Sequence, residues 1–374
     1  MESGGVSKSM STLLTVIDKN KYDVSVLIVN PTGIFMSLLP SDITVLKDAK
    51  TALFFSKFPN NLFGLAAKGH LFATVLRFVA ALFMIFNKGV GARLLSKGIV
   101  SLPETYDLAV DFNGQQQLYY LVDRVRATVK ISFFHNDYSK WDYYYAMDRK
   151  YYPKVDKIYT VSDTCVAAMK KYFPSEASKI ALFENISSLQ LINELALFPI
   201  EEMRVHSIVT VGHLTERKGT RLALEVAEIL KNNGIEFKWY FVGQDSKDFD
   251  YVQIVKSKGL EEYINLVGVT PNPYPYMKNA TIMVHLASFE GKSIALDEAK
   301  LLEKPIVVTN FSTVYDQFEH DYNATITCFD AATIALNVTE LLTNSALRIK
   351  YSQNLKLDRK SNHTELEKLY QLIQ

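Results

Sequence analysis

The sequence predicts an α/β protein built from two Rossmann-like domains that face each other across a cleft. Short β-rich apolar runs alternate with helical stretches along the whole chain, which is typical of parallel α/β architecture. The 374 residues exceed one ordinary core, so two domains of roughly 150–200 residues are expected. An apolar content of 48% with 22% charged residues indicates a folded protein.

The first half begins with a predicted helix at 7–18. Predicted strands follow at 24–29, 43–46, 108–111, 129–134, 157–161 and 180–183. Ser162 or Asp163 is a plausible N-cap for the helix after 157–161, because either side chain can accept from a free backbone N–H there. Residues 185–204 are less regular and are predicted to link the two domains.

The second half repeats the alternation. Strands are predicted at 207–211, 238–242, 264–267, 281–285 and 306–309. Helices are predicted at 220–233, 250–258, 274–277, 293–302, 331–343, 346–353 and 364–372. Two successive units of this kind predict a second Rossmann-like domain after the first.

Composition excludes several classes of protein. The 41 basic and 40 acidic side chains argue against a general nucleic-acid binder, which needs an excess of positive charge. Cys165 and Cys328 form neither a CxxC pair nor a Cys/His cluster, which argues against a disulfide framework or a zinc site and fits a reducing cytosol. The polar first ten residues do not resemble a secretory signal.

One region carries a strong local excess of positive charge. Residues 47–97 contain eight basic side chains against Asp48, a net +7, and they bracket an apolar helix at 71–86. That helix is interrupted by Arg77 and is shorter than the roughly 20 residues that span a bilayer. The pattern predicts attachment to an anionic membrane face. The alternative is a helix buried in the fold with solvated lysines at its flanks.

Three predicted strands of the second half end in glycine: Gly212, Gly243 and Gly268, the last followed by Val269. Open α/β sheets bind ligands at the carboxyl ends of their strands. Arg217 and Lys218 follow the first of these glycines, and two adjacent cations can neutralise a diphosphate. The alternative is a solvent-exposed turn. Neither a Walker loop nor a GxGxxG fingerprint is present.

A second segment, residues 285–310, carries two carboxylates. Glu290 precedes a glycine, and Glu298 lies eight positions later, near the start of a predicted helix. Carboxylates accept hydrogen bonds from sugar hydroxyls, and a helix N-terminus suits a diphosphate. The segment therefore predicts a pocket for a sugar joined to a nucleotide diphosphate. The alternative is a solvated helix.

Together these motifs resemble glycosyltransferase family 4, of the GT-B fold. The resemblance is strong in GHLTERKG, FVGQDSKD and the segment from LVGVTPNPYPYM to FEGKSIALDEAKLLEKPIVVTNF. It is looser in the first half, through YDVSVLIVNPTG, YDLAVDF, ISFFHND and KIYTVSD. It implies an N-terminal acceptor domain at 1–190, a C-terminal nucleotide-sugar domain at 200–358, and a helix at 359–374 that returns to the first domain.

The resemblance implies retaining transfer of a hexosyl-type sugar from a UDP- or GDP-sugar, without a metal or other cofactor. Arg217 and Lys218 match the pair that holds the diphosphate, Glu290 the carboxylate beside the sugar, and Glu298 the carboxylate on the ribose. Other implied donor-binding residues are Gly212, Gly243, Gly268, Val269, Gly291, Lys292, Ser293 and Ile294, the last four through backbone N–H groups facing the phosphates. On the acceptor side it implies His135, Asp137, Gly4 and Gly5, with a capped polar residue at a strand end as the alternative for His135.

The implied acceptor is a lipid-linked saccharide of a bacterial surface polysaccharide such as a capsule. The implied location is the cytoplasm, peripheral on the inner face of the plasma membrane. One departure from the family stands out: Met1 directly precedes the loop of Gly4 and Gly5, so the first strand of the sheet is missing. A misplaced start or a truncation would explain this, and the neighbouring strands would be left unpaired.

Rival functions remain open from the residues. An epimerase of the same fold would also bind a nucleotide sugar. A glycosidase would use Glu290 and Glu298 as acid and nucleophile. A truncated protein would bind the donor without transferring the sugar.

Overall fold

The computed structural model describes residues 4–33, 36, 38–203, 206–246, 248–359 and 362–373. The chain divides into two compact units. The first contains Val6–Ile186 and Thr364–Gln374, and the second contains Ser187–His363 together with Gly4 and Gly5. In the predicted linker, residue 204 lies outside the described residues, as do 360, 361 and 374 of the predicted terminal segment.

The first unit contains two separate parallel sheets. Its helices are α1 (Gly5–Val16), α2 (Ala49–Phe54), α3 (Asn60–Ala67), α4 (Leu71–Phe86), α5 (Lys88–Ser96), α6 (Gln116–Arg124), α7 (Tyr145–Asp148) and α8 (Asp163–Tyr172). Its strands are β1 (Ser25–Leu27), β2 (Thr44–Leu46), β3 (Thr105–Asp111), β4 (Arg126–Phe134), β5 (Lys157–Thr160) and β6 (Ile180–Leu182). Ser162 is the N-cap of α8, since its Oγ accepts from the Cys165 N–H at 3.3 Å.

The strand order shows how the strands of the first unit are divided between its two sheets. β1 pairs with β2, and the other sheet has the order β3-β4-β5-β6. Among the described residues, β1 and β3 therefore each keep one edge without a strand partner.

The second unit is built around one six-stranded parallel sheet. Its helices are α9 (Leu189–Leu195), α10 (Thr220–Asn232), α11 (Tyr251–Ser257), α12 (Tyr274–Asn279), α13 (Ile294–Leu301), α14 (Ala331–Thr343) and α15 (Ser345–Asp358). Its strands are β7 (Ser207–Val211), β8 (Lys238–Val242), β9 (Ile264–Gly268), β10 (Ile282–His285), β11 (Ile306–Thr309) and β12 (Thr325–Thr327). The strand order is β12-β11-β10-β7-β8-β9.

Helices cover both faces of this sheet, because the strand side chains alternate. Ile282 and Val284 of β10 belong to the core shared with α10, α11 and α14. Met283 belongs to the core shared with α9, α12, α13 and α15. A parallel strand buried on both faces reads as a continuous apolar run, which is why these strands were visible in the sequence.

Three predictions need correction, and several elements were not predicted. The linker is partly helical, since it contains α9. The elements that were not predicted include β12, α2, α3, α5, α6 and α7. The helix expected at 364–372 is a 3₁₀ turn at His363–Leu366 followed by α16 (Glu367–Tyr370). The buried-helix alternative for 71–86 is wrong, because one face of α4 is exposed.

Of the two cysteines, Cys165 is buried in the first turn of α8 and Cys328 is exposed after β12. No helix within the described residues is long and apolar enough to cross a membrane.

Candidate functional site

Three glycines lie side by side where β7, β8 and β9 end. The Gly212 N–H donates to the Val242 carbonyl at 3.0 Å, and the Gly243 N–H donates to the Gly268 carbonyl at 2.9 Å. A Cβ added to Gly243 would lie 1.8 Å from the Gly212 oxygen. Only glycine allows the backbone to come this close. The loops after β7 and β8 therefore begin next to each other at one edge of the sheet. Val269, the next residue, is exposed.

The loop between β7 and α10 is fixed against the end of β10. Gly219 adopts a positive φ of 74°, and a Cβ there would lie 2.1 Å from the Leu286 carbonyl oxygen. The Ser288 N–H donates to the Arg217 carbonyl at 2.9 Å. The Lys218 N–H donates to Thr215 Oγ1 at 3.0 Å. These contacts hold the two cations beside the segment that carries Glu290.

Glu290 is the centre of a charged cluster. Its carboxylate accepts from the Lys218 ammonium and lies 3.7 Å from Arg217 Nη1. His285, the last residue of β10, places Nε2 3.2 Å from Glu290 Oε1. The Glu290 side chain is 9% exposed, whereas the Arg217 side chain is 42% exposed and so reaches solvent. The site thus presents positive charge outward over a buried carboxylate.

The electrostatics of the cluster keep Glu290 ionised. Burial would raise the pKa of Glu290, but the Lys218 ammonium and the His285 hydrogen bond outweigh it and hold that pKa well below its usual value. Burial lowers the pKa of His285, so its imidazole is neutral at pH 7. The carboxylate is therefore a permanent anion facing two cations.

The segment from Glu290 to α13 is tied down by residues after β11. Thr313 Oγ1 donates to the Glu290 carbonyl at 2.9 Å. The Gln317 amide accepts from the Ser293 N–H at 3.2 Å and donates to the Ser293 carbonyl at 3.0 Å. The expectation that the Ser293 N–H faces a phosphate therefore needs correction, because Gln317 already occupies it. Gly291 is buried, Lys292 is half-buried, and Ile294 begins α13.

Glu298 lies one turn into α13 and is buried. Its Oε1 accepts from the Tyr274 hydroxyl of α12 at 2.9 Å. The structure thus brings Arg217, Lys218 and Glu290 together, and it pairs Glu298 with Tyr274.

His135 and Asp137, the two residues after β4 that were predicted for the acceptor side, have different surroundings. His135 follows β4; its ring lies 4.8 Å from that of Phe112, and burial lowers its pKa to about 4. Its Nε2 is buried without a hydrogen-bond partner among the described residues. Asp137 is the N-cap of the 3₁₀ turn Tyr138–Lys140 and accepts from the Ser139 N–H at 2.9 Å, which is a structural role.

The two N-terminal glycines stand at the start of α1. A Cβ at Gly4 would meet nothing within 4 Å, so this position is open. A Cβ at Gly5 would lie 3.6 Å from Ile294 Cδ1, an ordinary contact. Neither position requires glycine for reasons of space.

Sequence reasoning missed His285, Gln317 and Tyr274 as parts of the site. His285 had a signal: it ends an otherwise apolar strand five residues before Glu290. Within the described ranges, no group of three or more His, Cys, Asp or Glu side chains is arranged to hold a metal ion.

Comparison with known proteins identifies a domain. Residues 201–358 match the profile described as Glycosyl transferases group 1. The poly(ribitol-phosphate) alpha-N-acetylglucosaminyltransferase of Staphylococcus aureus is 25% identical over 157 residues, which cover 37% of this chain and 31% of that protein.

A second relative comes from Campylobacter jejuni. The N-acetylgalactosamine-N,N'-diacetylbacillosaminyl-diphospho-undecaprenol 4-alpha-N-acetylgalactosaminyltransferase is 27% identical over 159 residues, covering 42% of each chain. This chain therefore matches less than half the length of either relative.

Solved structures resemble the whole chain. HepE of Anabaena in complex with UDP and glucose superposes with a TM-score of 0.71 at 15% identity, covering 99% of this chain and 97% of that one. WaaG, a glycosyltransferase involved in lipopolysaccharide biosynthesis, gives a TM-score of 0.67 at 15% identity, covering 100% and 97%. The predicted GT-B fold is thereby confirmed.

Proposed function

We propose, from the premise that residues 201–358 are a glycosyl transferases group 1 domain, that this chain transfers a sugar from a nucleotide-diphosphate sugar to a saccharide acceptor. The observation that carries the proposal is the convergence of Arg217 and Lys218 on Glu290 at the carboxyl ends of the strands. Open α/β sheets bind their ligands at that edge.

The two cations suit a departing diphosphate. Negative charge grows on the β-phosphate as the bond to the sugar breaks, and fixed positive groups aimed there stabilise the transition state more than the ground state. The guanidinium of Arg217 is solvent-accessible and can form two parallel bonds to phosphate oxygens. With these cations in place, we propose that the reaction uses no resident metal.

Glu290 would hold the cations and accept a hydrogen bond from the donor sugar. Its lowered pKa argues against the glycosidase alternative, since a general acid needs a pKa raised towards neutrality. Glu298 would bind the ribose hydroxyls. Its hydrogen bond from Tyr274 would either break or remain on one carboxylate oxygen while the other oxygen binds the ribose. His135 would lie on the acceptor side, where burial keeps its imidazole neutral.

The donor and acceptor classes follow the relatives. HepE was solved with UDP and glucose, which supports a UDP-sugar over a GDP-sugar. The Campylobacter relative is named for a diphospho-undecaprenol acceptor, which supports a lipid-linked saccharide. Both curated names specify alpha linkages, which agree with retention when the donor is an alpha-linked nucleotide sugar. We therefore propose a hexosyl-type or N-acetylhexosaminyl transferase of surface polysaccharide synthesis, working at the cytoplasmic side of the membrane.

The test is transfer of labelled sugar from UDP- and GDP-sugars into a bacterial lipid extract. Arg217→Ala and Lys218→Ala should each lower kcat by about 10²–10³, as expected for losing one preorganised group. Arg221→Ala is the matched control, because Arg221 lies on α10 nearby but pairs with exposed Glu216. Near-normal transfer by the first two variants would contradict the proposal.

Donor binding separates the remaining alternatives. A donor at 100 times its Kd should stabilise the protein by about 2.7 kcal/mol in thermal unfolding. Conversion of the donor sugar without any acceptor would identify an epimerase. Donor binding without transfer to any fraction of the extract would identify a binding protein.

A further inference from the structure

The outward side of α4 is a continuous apolar surface. We define the apolar face of α4 by its exposed side chains, which are between 40% and 83% exposed: Leu71, Phe72, Val75, Phe78, Leu82, Phe83, Ile85 and Phe86. Their spacing of three, four and seven residues puts them along one side of the helix. Soluble surfaces rarely leave so many large apolar side chains together, so this face marks an interaction site.

The opposite side of α4 packs onto the first unit through small residues. Ala73 and Ala80 are buried there. Arg77, the one charged residue of the helix, also turns inward: its Nε donates to the Phe54 carbonyl at 3.1 Å, and its guanidinium lies 5.1 Å from the Phe58 ring centre. The apolar face of α4 is thus free of charge over its whole length.

The ends of the helix are positively charged. Lys57 and Lys68 lie before α4, and Lys88 and Arg93 lie after it; all four are exposed. Asp48 is the only acidic residue between 47 and 97, and Arg93 is 3.9 Å from Asp123. The apolar face of α4, with cations at both ends, therefore complements a layer that has an apolar interior and an anionic boundary.

Aromatic residues lie beside the C-terminal end of the apolar face of α4. The Lys88 ammonium is 4.1 Å from the centre of the Tyr143 ring, which is exposed, and that ring is 5.9 Å from the Trp141 ring. Tyr and Trp are the side chains that concentrate at membrane boundaries, because each has an apolar body and a polar edge.

We propose that the apolar face of α4 lies in the headgroup region of an anionic lipid bilayer, parallel to its plane, with Lys57, Lys68 and Lys88 on the lipid phosphates. The helix has 16 residues and a length of roughly 24 Å, which suits lying in the boundary layer. The competing occupant is a second copy of this chain. In such an interface the cations at both ends of the apolar face of α4 would face the same cations of the second copy and repel them. Attachment of this kind does not depend on sugar transfer, so its failure would leave the donor chemistry intact.

The first experiment is flotation of the full chain with phosphatidylcholine vesicles that contain or lack phosphatidylglycerol. Phe72→Ser and Phe86→Ser should each weaken binding about tenfold, and Lys68→Gln and Lys88→Gln about fivefold each, the lysine effects fading with salt. The controls for the phenylalanines are Leu336→Ser and Leu357→Ser, at exposed leucines of the second unit. The controls for the lysines are Lys256→Gln and Lys278→Gln, at exposed lysines of the same unit. The controls should bind like the unaltered protein.

Two outcomes would overturn the proposal. One is unchanged vesicle binding by the Phe72 and Phe86 variants. The other is loss of a dimer in sedimentation by those variants with no effect on vesicles, which would assign the apolar face of α4 to a second copy.

Tryptophan fluorescence gives an independent measurement. Brominated lipids quench indole rings only at close range, and Trp239 is fully buried in the core of the second unit. Quenching should therefore come from Trp141, next to Tyr143, and should disappear in Trp141→Phe. Quenching that persists in that variant, or that is absent in the unaltered protein, would contradict insertion at this end of α4.

Discussion

Two buried carboxylates of this molecule have opposite environments. Glu290 in the second unit faces Lys218, Arg217 and His285, and its pKa is held below its usual value. Asp148 in the first unit faces hydroxyl groups: it accepts from Tyr119 at 2.5 Å and from Tyr138 at 2.6 Å. Burial raises its pKa to about 6, against the effect of those bonds.

The difference shows what cations add to a buried anion. Hydroxyl groups satisfy the oxygens of Asp148 but do not compensate for the lost hydration of its charge. Asp111, which accepts from Ser132 at 2.6 Å and from the Gly114 N–H at 3.0 Å, behaves like Asp148, and burial raises its pKa to about 6 as well. Cations thus distinguish Glu290, whose pKa is lowered, from Asp148 and Asp111, whose pKa values are raised, and a group perturbed in this way is typical of a site that meets a charged ligand.

The largest expected effect comes from moving the cations without removing them. Gly219→Ala puts an alanine in the left-handed conformation of Gly219 and pushes its Cβ against the Leu286 carbonyl. We therefore expect the free energy of unfolding to fall by about 2–5 kcal/mol. Gly234→Ala is the control, because Gly234 has a similar φ of 73° and a Cβ there would meet nothing within 4 Å, so this substitution should cost about 1–2 kcal/mol. Urea unfolding measures both. Equal losses would mean that the close approach is unimportant.

Removing the anion tests the same cluster from the other side. Glu290→Gln leaves two cations uncompensated, and we expect a loss of about 2–4 kcal/mol, below the full value for a buried pair because Arg217 and Lys218 keep contact with water. Glu216→Gln, which breaks an exposed pair with Arg221, should cost about 0–1 kcal/mol.

The loss in Glu290→Gln should be constant between pH 5 and 8. The folded pKa of Glu290 lies below its unfolded value, so its contribution is fully present above the unfolded pKa and declines only in stronger acid. A loss of stability that changes between pH 5 and 8 would contradict the conclusion that Glu290 is ionised in the folded protein.

Asp148→Asn should behave differently with pH. A folded pKa of about 6 lies above the unfolded value of 3.8, so the contribution of Asp148 is present at low pH and is lost as pH rises through 6. Asn leaves one tyrosine hydroxyl poorly satisfied, at a cost of about 1–3 kcal/mol. The deficit of Asp148→Asn should be about 1 kcal/mol smaller at pH 8 than at pH 5 in urea unfolding. A deficit that grows with pH would contradict the raised pKa.

The smallest effect is expected at His285. His285→Gln loses the ring contact with Glu290 and should lower sugar transfer about tenfold, which corresponds to the roughly 1.4 kcal/mol of one positioning hydrogen bond. His320→Gln, an exposed histidine beside Asp321, is the control and should leave transfer unchanged. Equal rates in both variants would show that Lys218 and Arg217 position Glu290 without His285.

Much of the second unit was predictable, because its strands are buried on both faces and read as apolar runs. The bounds of β7, β8, β11 and α14 agree with the sequence prediction. β12 was missed because its three residues, Thr-Ile-Thr, give too short a signal. The charged cluster followed from one rule, that strand ends of a parallel sheet share an edge.

The remaining details depend on side-chain contacts distant in sequence. Gln317 reaches Ser293 across 24 positions, and nothing in its local sequence indicates this contact. The inward turn of Arg77 likewise depends on the Phe54 carbonyl, 23 positions away. Periodicity identified α4 as apolar and flanked by cations, but only the packing shows which of its sides is free.

The contrast between the two cysteines provides an experimental handle. Since Cys165 is shielded in the interior and Cys328 is open to solvent, a maleimide dye should modify the native protein at one thiol in the second unit. A second label engineered into the first unit would then allow energy transfer to follow the distance between the units while substrate turns over. No native cysteine would have to be replaced for this measurement.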